Sequence, residues 1–277
     1  MTRRWFLRAL LGGASPALTA AYAFGFEPQW LEFTRMDLPV AGLPPALDGK
    51  ILAHLSDFHV GPRVSDRYIV DVLERTARYA PDITVATGDF ITYRHYSVDR
   101  AKRVYASFPR GRLATLAVLG NHDYGPAWSH SGIAAEVSGV LRAVGVDVLR
   151  NETREVEGLC VAGLDDLWAP HFAPRPVLDA IDRTRPVLVL SHNPDTVDLP
   201  GWDGIRGCVL SGHTHGGQVR APFLKAPVVP VRNKRYTSGW FSLAPGRSMY
   251  ISRGIGFLVR VRCLVRPEVA VFRLRRT

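Results

Sequence analysis

The sequence predicts an α/β fold. Short strand-like apolar runs alternate with helical patterns, and five of those runs each release Asp, Asn or His at the carboxyl end. At 277 residues the chain is long enough for one large domain with a sizeable core. A composition of 47% hydrophobic and 22% charged residues excludes a disordered or fibrous chain.

The chain opens on Arg3-Arg4, Phe6-Leu7 and then an uncharged stretch from Ala9 to Phe26, with Ala21-Tyr22-Ala23 as a small-residue cleavage site. A charged start followed by an apolar segment resembles a twin-arginine export signal. The alternative is an uncleaved membrane anchor, since bilayer-spanning helices need about 17 to 25 residues; Gly12, Gly13, Pro16 and Gly25 weaken it. Residues 1–28 are therefore expected to be signal or anchor, and 29–277 the domain. Both readings put the domain in the periplasm or cell envelope and make the twin-arginine export machinery a partner.

Glu32 to Leu38 reads as an edge strand, and Pro39 to Gly49 as a Pro/Gly connection. Buried strands are expected at Ile51–Leu55, Ile83–Ala86, Leu113–Leu119, Leu159–Ala162, Val187–Leu190 and Cys208–Leu210, all short and rich in Val, Ile and Leu. Asp66–Tyr79 and Gly132–Val144 have helical spacing, and Ser65 and Ser97 suit N-caps. After Ser211 short strands and Pro-broken loops follow, and Glu268 to Leu274 reads as a last edge strand.

The chemistry sits after the strands. ILAHL is followed by Ser56-Asp57-Phe58-His59, ITVAT by Gly88-Asp89, and Leu113–Leu119 by Gly120-Asn121-His122-Asp123. VLVL is followed by Ser191-His192-Asn193, and CVL by Ser211-Gly212-His213-Thr214-His215. In open α/β sheets ligands bind beyond the carboxyl ends of strands, so these groups converge although they are far apart in sequence. The set holds two carboxylates, an amide and four imidazoles, with His122 nearby, and no thiolate. Hard oxygen with imidazole nitrogen suits Mn, Fe, Zn or Co better than Mg or Ca. Taken singly, a Gly-Asp pair is an ordinary turn and a lone His an ordinary hydrogen-bonded residue. Cys160, Cys208 and Cys263 lie far apart, which excludes a disulfide framework and a thiolate zinc site.

In this order the blocks Asp57–His59, Gly88-Asp89, Gly120–Asp123, His192 and Gly212–His215 resemble the calcineurin-like metallophosphoesterases. Looser likeness runs through His215–Val219 and Ser252–Gly256, and together with the export signal it resembles a bacterial exported phosphodiesterase branch. Related members include UDP-2,3-diacylglucosamine hydrolases. The resemblance implies a four-layer αββα sandwich of two mixed sheets flanked by helices. It also implies two divalent metal ions: Asp57, His59, Asp89 and His215 hold one, and Asp89, Asn121, His192 and His213 the other. Asp89 is then the bridge, and a hydroxide between the ions attacks a phosphodiester or pyrophosphate bond. His122 is the catalytic candidate that stabilises the equatorial oxygens or protonates the leaving oxygen. Several branches carry a second Asp three residues after the Gly-Asp block, where this chain has Thr92.

The net charge of +10 is concentrated at the end: 13 basic residues and one acid lie from Arg220 onward. Lys225, Arg232, Lys234 and Arg235 are interleaved with Tyr236, Trp240 and Phe241. With Arg253, the residues Arg232 and Arg235 are candidate substrate contacts for an anionic small molecule or lipid carrying an apolar or flat portion. Such a surface also suits anionic membrane headgroups, and nucleic acid is a poor fit outside the cytoplasm. The competing reading is a non-catalytic anion- or lipid-binding module on the same fold. A module of that kind loses ligand positions, and here all seven are filled.

Overall fold

A computed structural model describes residues 16–93, 97–220, 224 and 226–277. Arg3-Arg4 and Lys225 lie outside them. In chain order the strands are β1 (Glu32–Val40), β2 (Ile51–Leu55), β3 (Ile83–Thr87), β4 (Ala114–Val118), β5 (Asp147–Val148) and β6 (Glu152–Val156). They continue with β7 (Leu159–Gly163), β8 (Val187–Leu190), β9 (Gly207–Ser211), β10 (Gly239–Ala244), β11 (Arg247–Ile251) and β12 (Glu268–Arg276). They form two six-stranded mixed sheets, ordered β1-β12-β2-β3-β4-β5 and β10-β11-β9-β8-β7-β6.

Alternation along each strand builds the layers. Leu52, Ile83, Val85, Leu116 and Val118 of the first sheet meet Leu159, Val161, Leu188, Leu190 and Leu210 of the second in one buried layer. The opposite faces, with Ala53, Leu55, Ala86 and Ala117, pack on Ile69, Val72 and Leu73 of helix Asp66–Ala77 and on Val137 and Leu141 of helix Ser131–Ala143. Behind the second sheet, Val187, Val189 and Val209 meet Val177 and Leu178 of helix Pro174–Ala180. Strands buried on both faces explain why their sequences are nearly continuous apolar runs.

The strand β12 corrects one expectation. It is interior, parallel to β1 on one side and antiparallel to β2 on the other. β1 takes the edge. Helix Val98–Tyr105 buries one face, Ala101, Val104 and Tyr105, and Ser97 caps it by accepting from the Arg100 amide. Ser65 precedes its helix without a side-chain cap bond.

The N-terminal residues described are docked. Helix Pro16–Ala20 runs into a wider turn, Ala21–Phe26, and a 3₁₀ turn, Glu27–Gln29. Tyr22, Ala23 and Glu27 are buried, the Ala23 carbonyl accepts from the Arg262 amide at 2.9 Å, and the Glu27 carboxylate from the Leu264 amide at 2.7 Å. Packing on the domain thus begins before residue 29. Among the described residues no helix is long and apolar enough to cross a membrane.

Candidate metal centre

The parallel strands β2, β3 and β4 of one sheet and β8 and β9 of the other bring the seven expected ligands together at their carboxyl ends. Two buried groups result: Asp57 with His59 and His215, and Asp89 with His192 and His213, each with donor atoms within 4.8 Å of one another. The groups are joined through Asp89, whose Oδ2 lies 3.5 Å from His59 Nε2 and 3.3 Å from His192 Nε2.

Tight turns aim these groups, at the cost of backbone strain. Asp57, His59, Asp89, His213 and His215 all have left-handed φ, from 50° to 69°; this region costs an L-residue about 1–2 kcal/mol. Neighbouring glycines make room: a Cβ on Gly254 would stand 2.7 Å from the Asp57 Cβ, and one on Gly120 would stand 2.3 Å from Asp89 Oδ1. The His122 amide donates to Asp89 Oδ1 at 2.9 Å, and the His213 amide to Asp57 Oδ1 at 3.0 Å. Asp123, the last residue of the Asn-His-Asp block, accepts from the Gly120 and Ile91 amides and braces that turn.

Two of the imidazoles are set by their outer nitrogens, whereas His59 Nδ1 and His215 Nδ1 have no hydrogen-bond partner among the described residues. His192 Nδ1 donates to the Thr87 carbonyl at 2.6 Å, and His213 Nε2 to the Pro230 carbonyl at 2.8 Å. Their remaining nitrogens face each other at 3.1 Å, as do His59 Nε2 and His215 Nε2. Orienting one nitrogen and freeing the other is how proteins prepare histidine for a cation. Burial drives His59 and His213 down to about 3, so both are neutral. For His192 burial acts against the charge, but the Asp89 carboxylate outweighs it and raises the imidazole well above its ordinary value. Asn121 Oδ1 is buried with no hydrogen-bond partner among the described residues. An orphaned acceptor, converging imidazoles and two carboxylates without a thiolate fit two borderline-hard divalent cations.

His122 is half-buried, its ring edge-on to His59 at 5.1 Å and stacked with Tyr93 at 5.9 Å. Thr92 does not orient it; its hydroxyl faces the His59 carbonyl at 3.4 Å. The three arginines part ways. Arg232 is exposed, with its amide bonded to Asp195, and Arg235 lines a cavity of about 720 Å³ with Arg220 and Phe241. Arg253 is committed to Glu268 at 3.1 Å and Glu32 at 3.0 Å, so its charge is already matched. The aromatic residues of that stretch are structural: Tyr236 bonds Asp198 and meets Phe241, and Trp240 packs on Tyr250 and Phe272.

Two mixed sheets that deliver paired histidine–carboxylate groups to one end define a metal-dependent hydrolase of phosphate esters. The chain belongs to the calcineurin-like phosphoesterase family, whose model matches residues 51–217. It is similar to phosphodiesterase YaeI of Escherichia coli, 32% identical over 99% of both chains. It is also 30% identical to the uncharacterized metallophosphoesterase YkuE of Bacillus subtilis, over 100% of this chain and 99% of that one. UDP-2,3-diacylglucosamine pyrophosphatase LpxG of Chlamydia muridarum is 26% identical over 94% of each.

Proposed function

We propose that the protein hydrolyses a phosphodiester or pyrophosphate bond with two first-row transition ions, Mn, Fe, Zn or Co. The observation that carries this reading is the sharing of Asp89 between two buried histidine groups. Asp57, His59, Asp89 and His215 would hold one ion, and Asp89, Asn121, His192 and His213 the other. When bound, such a pair supplies Lewis acidity to phosphate oxygens and lowers the pKa of water toward neutrality. The Asp89 carboxylate offsets the repulsion between two cations, and the neutral Asn121 amide leaves net positive charge for the phosphate. His122 serves the leaving oxygen.

Asp89→Asn should abolish hydrolysis and lower bound metal, measured by metal analysis and turnover of a p-nitrophenyl diester. Full activity with both ions retained would refute the shared-bridge reading. Reconstitution should favour Mn, Co, Zn or Fe over Mg, because imidazole prefers them.

The likeness to LpxG favours a second reading, cleavage of UDP-2,3-diacylglucosamine, which a panel of diesters and nucleotide-sugar pyrophosphates separates from the first. Export by the twin-arginine route to the periplasm or cell envelope, with membrane contact through the N-terminus, completes the proposal. Its support is Arg3-Arg4 ahead of the apolar stretch. Arg3-Arg4→Lys-Lys should leave the protein in the cytoplasm on fractionation, and an unchanged distribution counts against that route.

A further inference from the structure

Three neighbouring parallel strands, β7, β8 and β9, point their carboxyl ends the same way. Two of them release metal-centre histidines. The third releases Leu164-Asp165-Asp166-Leu167-Trp168, with no histidine and no member of either metal group. That loop is built with care. Asp165 accepts from the Tyr124 hydroxyl and from Arg150 at 3.3 Å, while its amide donates to Asn151 Oδ1 at 3.1 Å. Asp166 Oδ1 accepts from the Trp168 amide at 2.8 Å.

These bonds hold the Trp168 indole edge-on to His213, with ring centres 4.6 Å apart. Trp128 stacks on Trp168, again at 4.6 Å and 24° from parallel. It comes from the turn just after the Asn-His-Asp block, where Ala127 and Trp128 have φ of 51° and 57°. Two successive non-glycine residues in this region are costly, and such cost collects where a side chain must be aimed. Both indoles remain partly exposed.

We propose that Trp128 and Trp168 form a stacking wall that selects substrates carrying a planar ring system, such as a nucleoside, on the phosphate. An aromatic face next to His213 would hold the part of the substrate that does not react. Stacking on indole is tolerant of ring identity and worth about 5-fold to 150-fold in affinity. The inference rests on the phosphoesterase reading of the metal centre.

Two esters with the same leaving group separate the two ideas: thymidine 5′-monophosphate p-nitrophenyl ester and methyl p-nitrophenyl phosphate. In the metal-loaded wild type, kcat/KM for the thymidine ester should exceed that for the methyl ester by about 10-fold or more. Trp128→Ala should shrink that ratio about 5-fold or more, chiefly through KM. Trp128→Phe should restore most of it. Thymidine 5′-monophosphate should inhibit the wild type at least about 5-fold more strongly than inorganic phosphate, a readout needing no variant. A ratio near one in the wild type, or a ratio unmoved by Trp128→Ala, overturns the wall. So does a decyl p-nitrophenyl ester that gains as much as the thymidine ester, since plain apolar contact then suffices. Failure to cleave either ester overturns the phosphodiester reading of the metal centre instead.

Discussion

At His122 the chemistry depends on how one ring is held. In this chain that is done by ring contacts with His59 and Tyr93 and by the amide bond to Asp89. No carboxylate helps at position 92. His122→Ala should therefore cut kcat by about 100-fold to 10,000-fold with metal content intact, the range for a positioned acid or base. The loss should shrink for nitrophenyl leaving groups and persist for alkyl alcohols. An equal loss across leaving groups would mean that His122 acts by its charge alone, and a fall in bound metal would mean that it supports the ligands. The clustering of Asp57, His59, Asp89, His192, His213 and His215 was legible because each follows a strand; the role of Thr92 was not, because a hydroxyl in sequence does not disclose which neighbour it faces.

Between elements, Glu268 is the joint where β12 starts. Its carboxylate accepts from Thr34 on β1, Tyr250 on β11 and both the amide and guanidinium of Arg253, so one side chain ties the two sheets to the loop beneath Asp57. Burial works against its charge, yet Arg253 and the hydroxyl donors hold it below the ordinary value of 4.5. A depressed carboxyl contributes stability that is complete above that value and drains away as the pH falls below it. Glu268→Gln should cost about 2 kcal/mol near neutrality, since the buried carboxylate's charge-assisted bonds are lost while Arg253 keeps only Glu32. Urea unfolding at pH 7 and pH 3 tests this: the difference between wild type and variant should narrow in acid. The same joint explains what the sequence concealed. Glu268–Leu274 reads as a strand by its alternation, but its interior place depends on pairing with β1, more than two hundred residues away. Short-range pattern identifies strands; order in a sheet is a long-range property. Arg253, a candidate substrate contact by sequence, is ion-paired with Glu268 in the same contact.

For the molecule as a whole, the segment before β1 supports the site at a distance. The Arg262 amide bonds the Ala23 carbonyl, and its buried guanidinium donates to the carbonyls of Arg253 at 2.9 Å and Gly256 at 2.7 Å, in the loop against Asp57. Arg266 lies 4.0 Å over the Trp30 ring. A chain starting at Glu32 should lose melting temperature and metal content together, whereas one starting at Pro16 should keep both. Retention of both by the shorter chain would show that the docked segment is ornamental to the site. The docking of Tyr22, Ala23 and Glu27 was not legible in the sequence, because their partners lie near its other end.

The adjacency of β1 and β12 also sets a timetable. The sheet carrying Asp57, Asp89 and Asn121 stays open until Glu268–Arg276, more than two hundred residues beyond β2, slide between β1 and β2. The earlier strands thus cannot close this sheet by themselves, and β2 presents an unpaired edge until β12 arrives. Non-local strand pairing of this kind is slow. Closure of this sheet, and with it the chance to hold metal, waits on that distant pairing.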